Sequence, residues 1–214
     1  MVSSLRVTEI FYSLQGESNS VGIPTVFIRL TGCPLRCIYC DTAYAFTGGT
    51  KIEIAEIIAQ AEHYNTKYIT VTGGEPLAQS ACLELIKNLL DKGFIVSVET
   101  SGAIDVSGMD SRAIKVMDLK TPSSGELGRN LYQNIQFLDS KDQVKFVIGN
   151  NEDYEWSKVA LIEYNLIGRC EILFSPVMGQ QNATELADKI LQDRLPVRFQ
   201  IQLHKLLWDN AQGK

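Results

Sequence analysis

The chain has 214 residues, of which 45% are hydrophobic and 21% are charged, and this composition indicates a folded domain and excludes a disordered or fibrous protein. A net charge of −5 without a dense block of Lys and Arg argues against nucleic acid as an obligatory partner. The first residues lack the pattern of a secretion signal and no apolar run reaches membrane-spanning length, so we expect a cytoplasmic protein with no membrane association.

Seven short runs rich in β-branched residues predict buried strands. They cover residues 25–30, 68–72, 94–100, 113–119, 143–149, 171–177 and 197–203. Their nearly continuous apolar character is typical of a parallel sheet that is covered on both faces.

Helical patterns lie between several of these strands. Thr50 and Glu53 have the spacing of a capping box and predict the start of a helix over residues 54–64. The next helix can begin at Ser80 and end at Gly93, a residue suited to the left-handed position that follows a helix.

Two more helices are predicted in the second half of the chain. One covers residues 151–165 and has acidic residues in its first turn, and the other follows a box-like start at Asn182 and Glu185. Alternating strands and helices predict an α/β fold with right-handed crossovers. Because a complete eight-unit barrel usually needs about 250 residues, we expect an incomplete TIM-like barrel of six to seven mostly parallel strands with outer helices, formed by one domain over residues 1–214.

Three cysteines follow the first predicted strand at C-x3-C-x2-C spacing, namely Cys33, Cys37 and Cys40. Thiolates bind zinc, copper(I) and the iron of iron–sulfur clusters. A structural zinc site would need a fourth ligand, and Cys82 and Cys170 do not form a second pair, so we expect these two to behave as small buried hydrophobes. Three protein ligands to a four-iron cluster would leave one iron open to a small molecule.

The triplet, with Tyr39 before its last cysteine, resembles the signature of the radical S-adenosylmethionine superfamily. The sequence "TGGEP" at 72–76 resembles the superfamily's second motif, whose paired glycines allow the backbone to approach a ligand. The resemblance implies a 4Fe-4S cluster, S-adenosyl-L-methionine on its open iron and a 5′-deoxyadenosyl radical. Glu75 is expected to accept a hydrogen bond from the ammonium group of the cofactor.

The stretch "LQGE" at 14–17, together with Arg29 and "CDT" at 40–42, is similar to the 7-carboxy-7-deazaguanine synthase family of queuosine-precursor biosynthesis. The likeness continues through "MDLKTPSSG" to "LFSPVMG" and so reaches most of the chain. It implies a carbon–nitrogen lyase that acts on 6-carboxy-5,6,7,8-tetrahydropterin with Mg²⁺, releases ammonia and begins with hydrogen abstraction at C6 of the pterin.

The same resemblance implies the site residues. The expected substrate-binding residues are Leu14, Gln15, Gly16, Arg29, Thr72 and His204. The expected metal ligands are Cys33, Cys37 and Cys40 for the cluster and Thr42 for magnesium. The expected cofactor-binding residues are Tyr39, Cys40, Asp41, Gly74, Glu75, Asp118, Leu119, Lys120, Ser175, Pro176, Val177 and Met178.

Two alternatives remain open at this point. A glycyl-radical activase would share the cluster and the cofactor but bind a protein loop, whereas "LQGE" and Arg29 suit a small polar acid. A zinc-binding interaction module would have no catalytic activity. For the synthase interpretation, the expected partners are a flavodoxin-like electron donor and a second copy of the chain in a homodimer.

Overall fold

The computed structural model describes residues 3–209 and 211–214. Nine strands form one sheet: β1 (Ser4–Leu14), β2 (Pro24–Leu30), β3 (Thr50–Glu53), β4 (Tyr68–Gly73), β5 (Ile95–Thr100), β6 (Ile114–Asp118), β7 (Gln143–Ile148), β8 (Glu171–Pro176) and β9 (Arg198–Phe199). The α-helices of the described residues are α1 (Ile54–Glu62), α2 (Cys82–Asp91), α3 (Asn151–Glu163), α4 (Ala183–Gln192) and α5 (Leu203–Trp208).

The sheet is open and mostly parallel, with the order β3-β1-β2-β4-β5-β6-β7-β8-β9. From β2 to β9 every neighbouring pair is parallel, and each of these seven strands overlaps one of the seven runs predicted from the sequence. The prediction of an incomplete TIM-like barrel is therefore confirmed. Two further strands, β1 and β3, were not predicted, and they extend the β2 edge with antiparallel pairs.

Two local predictions were wrong. Thr50 and Glu53 do not form a capping box, because both lie in β3, which pairs with β1, and Glu53 makes no side-chain cap hydrogen bond to α1. The last predicted strand is reduced to the two residues of β9, and the chain then turns into α5. The second helix begins at Cys82 instead of Ser80, but Gly93 follows it with φ of +87°, as predicted.

Side chains alternate between the two faces of the parallel strands, as the two-residue period of a strand requires. One face is apolar: 22 buried residues of the first half of the chain form one core cluster, and a second cluster fills the space between β6, β7, β8 and the helices α3 and α4. The other face carries polar side chains on neighbouring strands, for example Thr72 on β4, Glu99 on β5 and Lys145 on β7. The second face of the sheet is thus partly polar, although the apolar runs in the sequence are typical of a parallel sheet that is covered on both faces.

None of the described helices is long and apolar enough to cross a membrane.

The predicted helix start at Asn182 is confirmed, since its side-chain oxygen accepts hydrogen bonds from the backbone N–H groups of Thr184 and Glu185. Replacing Asn182 with alanine removes this cap and is expected to lower the free energy of unfolding by about 1 kcal/mol. Chemical denaturation measures the change, and Gln181→Ala is the adjacent control because its side chain does not cap the helix. Equal stability of Asn182→Ala and the wild type would contradict the prediction.

Candidate active site

A cavity of about 500 Å³ lies where the carboxyl ends of the parallel strands meet the loop of residues 31–42. Small-molecule sites commonly have volumes of about 300–1,000 Å³, so the cavity is large enough for a ligand. Most of the predicted site residues line it, namely Leu14, Gln15, Gly16, Arg29, Cys33, Cys37, Tyr39, Cys40, Asp41, Thr42, Thr72, Gly74, Asp118, Lys120, Val177, Met178 and His204.

Cys33, Cys37 and Cys40 are half-buried free thiols along one wall of this cavity. Burial raises the pKa of Cys33 and raises that of Cys37 to about 11. Within the described residues no three His, Cys, Asp or Glu side chains converge on a single metal ion. In a cluster the cysteine thiolates bind separate iron atoms, so three thiols along one wall fit a cluster with one iron left for another ligand.

The glycine pair after β4 lies directly against the start of the cysteine loop. A Cβ on Gly74 would lie 2.2 Å from the carbonyl oxygen of Gly32 and 2.8 Å from Cβ of Cys33. Gly73 has φ of +139°, and a Cβ there would lie 2.1 Å from the carbonyl oxygen of Leu30. Only glycine allows this close packing, which leaves bare backbone beside the thiols where a cofactor can approach.

A second wall of the cavity combines Gln15, Thr72 and Glu99. The Thr72 hydroxyl donates to Glu99 Oε2 at 2.7 Å, and Gln15 Nε2 approaches Glu99 Oε1 at 3.4 Å and Thr70 Oγ1 at 3.0 Å. The side-chain oxygen Oε1 of Gln15 accepts from the backbone N–H of Glu17. These bonds fix an amide and a carboxylate side by side in the cavity wall.

Arg29 lines the cavity and forms an ion pair with Glu9 at 2.7 Å through its Nε atom. Its guanidinium group also lies over the rings of Phe11 and Tyr44, 5.5 Å and 5.8 Å from their centroids. Within residues 3–209 and 211–214, its terminal nitrogens make no hydrogen bond, although Arg29 is only 15% exposed. The ion pair therefore positions Arg29 and leaves two donors for a planar anion such as a carboxylate.

The carboxyl-terminal helix α5 closes the cavity on the side of the cysteine loop. Lys205 forms an ion pair with Asp41 at 2.6 Å, and the hydroxyl of Thr42 donates to the same carboxylate at 2.9 Å. Burial alone would raise the pKa of Asp41, but the Lys205 ammonium outweighs burial and lowers it. His204 packs on Gly16, where a Cβ would lie 2.2 Å from Nδ1 of the histidine.

The residues after α5 also contribute to the cavity. Asp209, Ala211, Gln212, Gly213 and Lys214 line its mouth. Part of the described chain beyond His204, for which the sequence predicted no position, therefore lines the cavity.

Lys145 on β7 forms ion pairs with residues from two different segments that line the cavity. Its ammonium lies 2.6 Å from the Glu17 carboxylate and 3.8 Å from that of Asp118, which also pairs with Lys120 at 3.0 Å. Burial alone would lower the pKa of Lys145, but Glu17 and Asp118 outweigh burial and raise it. Asp118 Oδ1 is buried without a partner among the described residues, so this oxygen can accept a hydrogen bond from a ligand.

Four of the predicted cofactor residues do not line the cavity. Leu119 is fully buried in the second core cluster. The Ser175 hydroxyl donates to the carbonyl oxygen of Gln200 at 2.6 Å, and the neighbouring Pro176 is buried. Glu75 is completely buried, and its carboxylate accepts a hydrogen bond from the backbone N–H of Ser101. Any contact of these four side chains with a ligand would require them to move.

Glu17, Glu99 and Lys145 line the cavity but were not predicted as site residues. Glu99 and Lys145 carried a usable signal, since charged residues inside strands that are otherwise apolar are seldom buried without a function or a partner. The signal is not specific: Lys115 in β6 is equally anomalous, and it forms a buried ion pair with Asp142 at 3.2 Å.

Comparison with known proteins agrees with this geometry. The family model described as "Radical SAM superfamily" matches residues 27–158. The crystal structure of QueE from Escherichia coli has the same fold, with a TM-score of 0.77 and 23% identity over 94% of this chain and 95% of that one. The chain thus belongs to the radical SAM superfamily.

Relatives of similar length identify the family within this superfamily. The 7-carboxy-7-deazaguanine synthase of Chlorobaculum tepidum is 41% identical and covers 98% of this chain and 97% of its own. The synthase of Methanospirillum hungatei is 39% identical, with 96% and 86% coverage, and that of Koribacter versatilis is 36% identical, with 95% and 97% coverage. The chain belongs to the 7-carboxy-7-deazaguanine synthase family of the radical SAM superfamily.

The buried pair Glu17–Lys145 gives a prediction about stability. Replacing Lys145 with methionine leaves the Glu17 carboxylate buried without its cation and is expected to lower the free energy of unfolding by about 3–5 kcal/mol at pH 7. Adding Glu17→Gln to Lys145→Met is expected to recover part of this loss, which a double-mutant cycle by urea denaturation measures. Additive losses would show that the pair does not interact.

The same pair makes stability depend on pH. Burial alone would raise the pKa of Glu17, but Lys145 outweighs burial and holds it below 4.5. The pair's contribution is therefore present above pH 4.5 and is lost as the pH falls through the lower, folded-state pKa. Glu17→Gln should flatten this acid decline in a series of denaturation curves.

Proposed function

We propose that the chain is a radical SAM carbon–nitrogen lyase that converts 6-carboxy-5,6,7,8-tetrahydropterin to 7-carboxy-7-deazaguanine with loss of ammonia. The observation that carries this proposal is one cavity with two different walls. Three thiols and bare glycine backbone form one wall, and an amide, a carboxylate and an arginine form the other. A cluster-bound cofactor and a polar, planar acid can therefore lie side by side.

The pterin ring is held by Gln15, Thr72 and Glu99. The ring's amino and ring N–H groups are donors and its carbonyl oxygen is an acceptor, so recognition needs both kinds of partner. Glu99 accepts hydrogen bonds from the edge of the pterin ring that carries the N–H donors. Its existing hydrogen bonds to Thr72 and Gln15 fix the carboxylate before the substrate binds. Such preorganisation reduces the entropy lost on binding.

Arg29 would bind the substrate carboxylate, and Thr42 would hold Mg²⁺ at the same end of the cavity. Arg29 is already aligned by Glu9 and presents a planar pair of donors that matches a carboxylate. The Thr42 oxygen, next to the Asp41 carboxylate, is a hard ligand of the kind that Mg²⁺ prefers, and Mg²⁺ held there would stabilise the negative charge of the substrate carboxylate. Leu14, Gly16 and His204 form the rest of this end of the cavity.

Cys33, Cys37 and Cys40 would hold the 4Fe-4S cluster, which together with S-adenosylmethionine would supply the one-electron chemistry for hydrogen abstraction at C6 of the substrate. Gly74 and Asp118 line the cofactor's end of the cavity, where the free oxygen of Asp118 accepts a hydrogen bond. Lys120 forms an ion pair with Asp118 at 3.0 Å, which fixes the position of this carboxylate. The buried wall excludes water from a reactive radical.

Three further features belong to the proposal. The one-electron chemistry needs a reductant, for which a flavodoxin-like protein is the donor. The five free cysteines suit the reducing cytoplasm. The active form is a homodimer.

Enzymatic assay tests the proposed reaction directly. Anaerobically purified and reconstituted protein should be brown, contain iron and sulfide, and form carboxydeazaguanine from the carboxypterin, S-adenosylmethionine, Mg²⁺ and a reductant. Cys37→Ala should abolish cofactor cleavage and product formation, whereas Cys170→Ala, a control outside the cavity, should retain both. Colourless reconstituted protein, or unchanged cleavage by Cys37→Ala, would refute the mechanism. Cofactor cleavage without conversion of the pterin would favour the activase alternative.

Arg29 tests the identity of the substrate. Arg29→Ala should weaken binding of the carboxypterin by about 10- to 100-fold, because it removes charge-assisted hydrogen bonds. Its effect on S-adenosylmethionine should stay within about twofold, as measured by calorimetry with each ligand. Glu9→Gln keeps the guanidinium but removes its ion pair and should have a smaller effect on the pterin. Equal losses for both ligands would assign Arg29 a structural role.

A further inference from the structure

Glu75 lies at the junction of three segments that form the cofactor's end of the cavity. Its backbone N–H donates to the carbonyl oxygen of Gly32 at 2.8 Å, just before Cys33. The residue before it is Gly74 of the glycine pair. Its side chain reaches the end of β5, where Thr100 and Ser101 also line the cavity. One residue therefore connects the cysteine loop, the glycine pair and β5.

The Glu75 carboxylate is saturated by donors from the protein. Oε1 accepts from the backbone N–H of Leu77 at 3.0 Å, and Oε2 accepts from the backbone N–H of Ser101 at 2.7 Å and from its hydroxyl at 2.5 Å. The Thr100 hydroxyl lies 3.0 Å from both oxygens. Because a carboxylate offers about four lone-pair positions, little capacity remains for another donor. The side chain is also fully buried and does not line the cavity.

We propose that Glu75 is a positioning residue, which holds Gly74 and the end of β5 in place around the cofactor, and that it does not bind the cofactor's ammonium group. The proposal rests on the proposed function, since it concerns the wall that receives S-adenosylmethionine. It differs from the role that the sequence motif implied for Glu75. The geometry assigns that motif two tasks: its glycines make room for the ligand, and its glutamate fixes the glycines.

Glu75→Gln is a sharp test because it preserves the size of the side chain. Each carboxylate oxygen accepts one backbone N–H, and a glutamine has only one oxygen, so its NH₂ group must face the N–H of Leu77 or of Ser101. We expect the melting temperature of the full chain to fall by about 4–8 °C. The matched control is Glu84→Gln, at an exposed position where the side chain is hydrated in both variants. This control should change the melting temperature by less than about 2 °C.

A stability cycle with Ser101→Ala gives the second measurement. The melting-temperature losses of Glu75→Gln and Ser101→Ala should be less than additive in the double variant, because both remove the same hydrogen bonds. An unchanged melting temperature in Glu75→Gln, or additive losses, would overturn the proposal. This measurement needs neither cluster nor substrate, so it decides the role of Glu75 even if the proposed reaction fails.

Calorimetry on the reconstituted enzyme separates positioning from direct contact. Glu75→Gln should weaken binding of S-adenosylmethionine by about tenfold, and binding of an analogue that lacks the amino group by the same factor. A loss confined to S-adenosylmethionine would show that Glu75 contacts the ammonium and would overturn the proposal. If the wild type forms no cluster or binds neither compound, the proposed function fails instead, and the stability cycle still stands.

Discussion

The alternation of side chains along parallel strands is the constraint on which this structure depends. Most residues of β4 to β7 alternate between the two apolar core clusters and the opposite face of the sheet. Towards the cavity, that opposite face carries the charged or polar residues Thr72, Glu99, Asp118 and Lys145 beside only two valines, Val116 and Val147. The core therefore stabilises the sheet on one side only, which leaves the other side available for chemistry.

Charged groups on an enclosed face are stable only when each has a partner. Glu9 pairs with Arg29, Lys145 with Glu17 and Asp118, and Lys205 with Asp41. The partners come from β1, from the stretch after β1, from the cysteine loop and from α5, so the ion pairs join distant parts of the chain. The cavity is consequently rigid and polar before a ligand binds, as catalysis by fixed electrostatic groups requires.

The apolar runs predicted all seven parallel strands because burial of one face suffices to make a strand look hydrophobic. The same criterion missed β1 and β3, whose residues are mostly half-buried or exposed at the sheet edge. Motifs located the cysteines, the glycine pair and Arg29, since their chemistry fixes residue type and spacing. Glu99 and Lys145 lie far from any motif, and only the tertiary register that places them beside Thr72 and Asp118 gives them a role.

The segment that follows β1 and the segment at the start of α5 meet at the cavity, although they are far apart in the sequence. The backbone N–H of Leu203 donates to the carbonyl oxygen of Gly16, and Gln202 Nε2 donates to Glu17 at 2.7 Å. These contacts span about the whole chain, so the loop-closure entropy must be offset by the sheet before they become favourable. The α5 contacts are thus a late addition to a formed sheet.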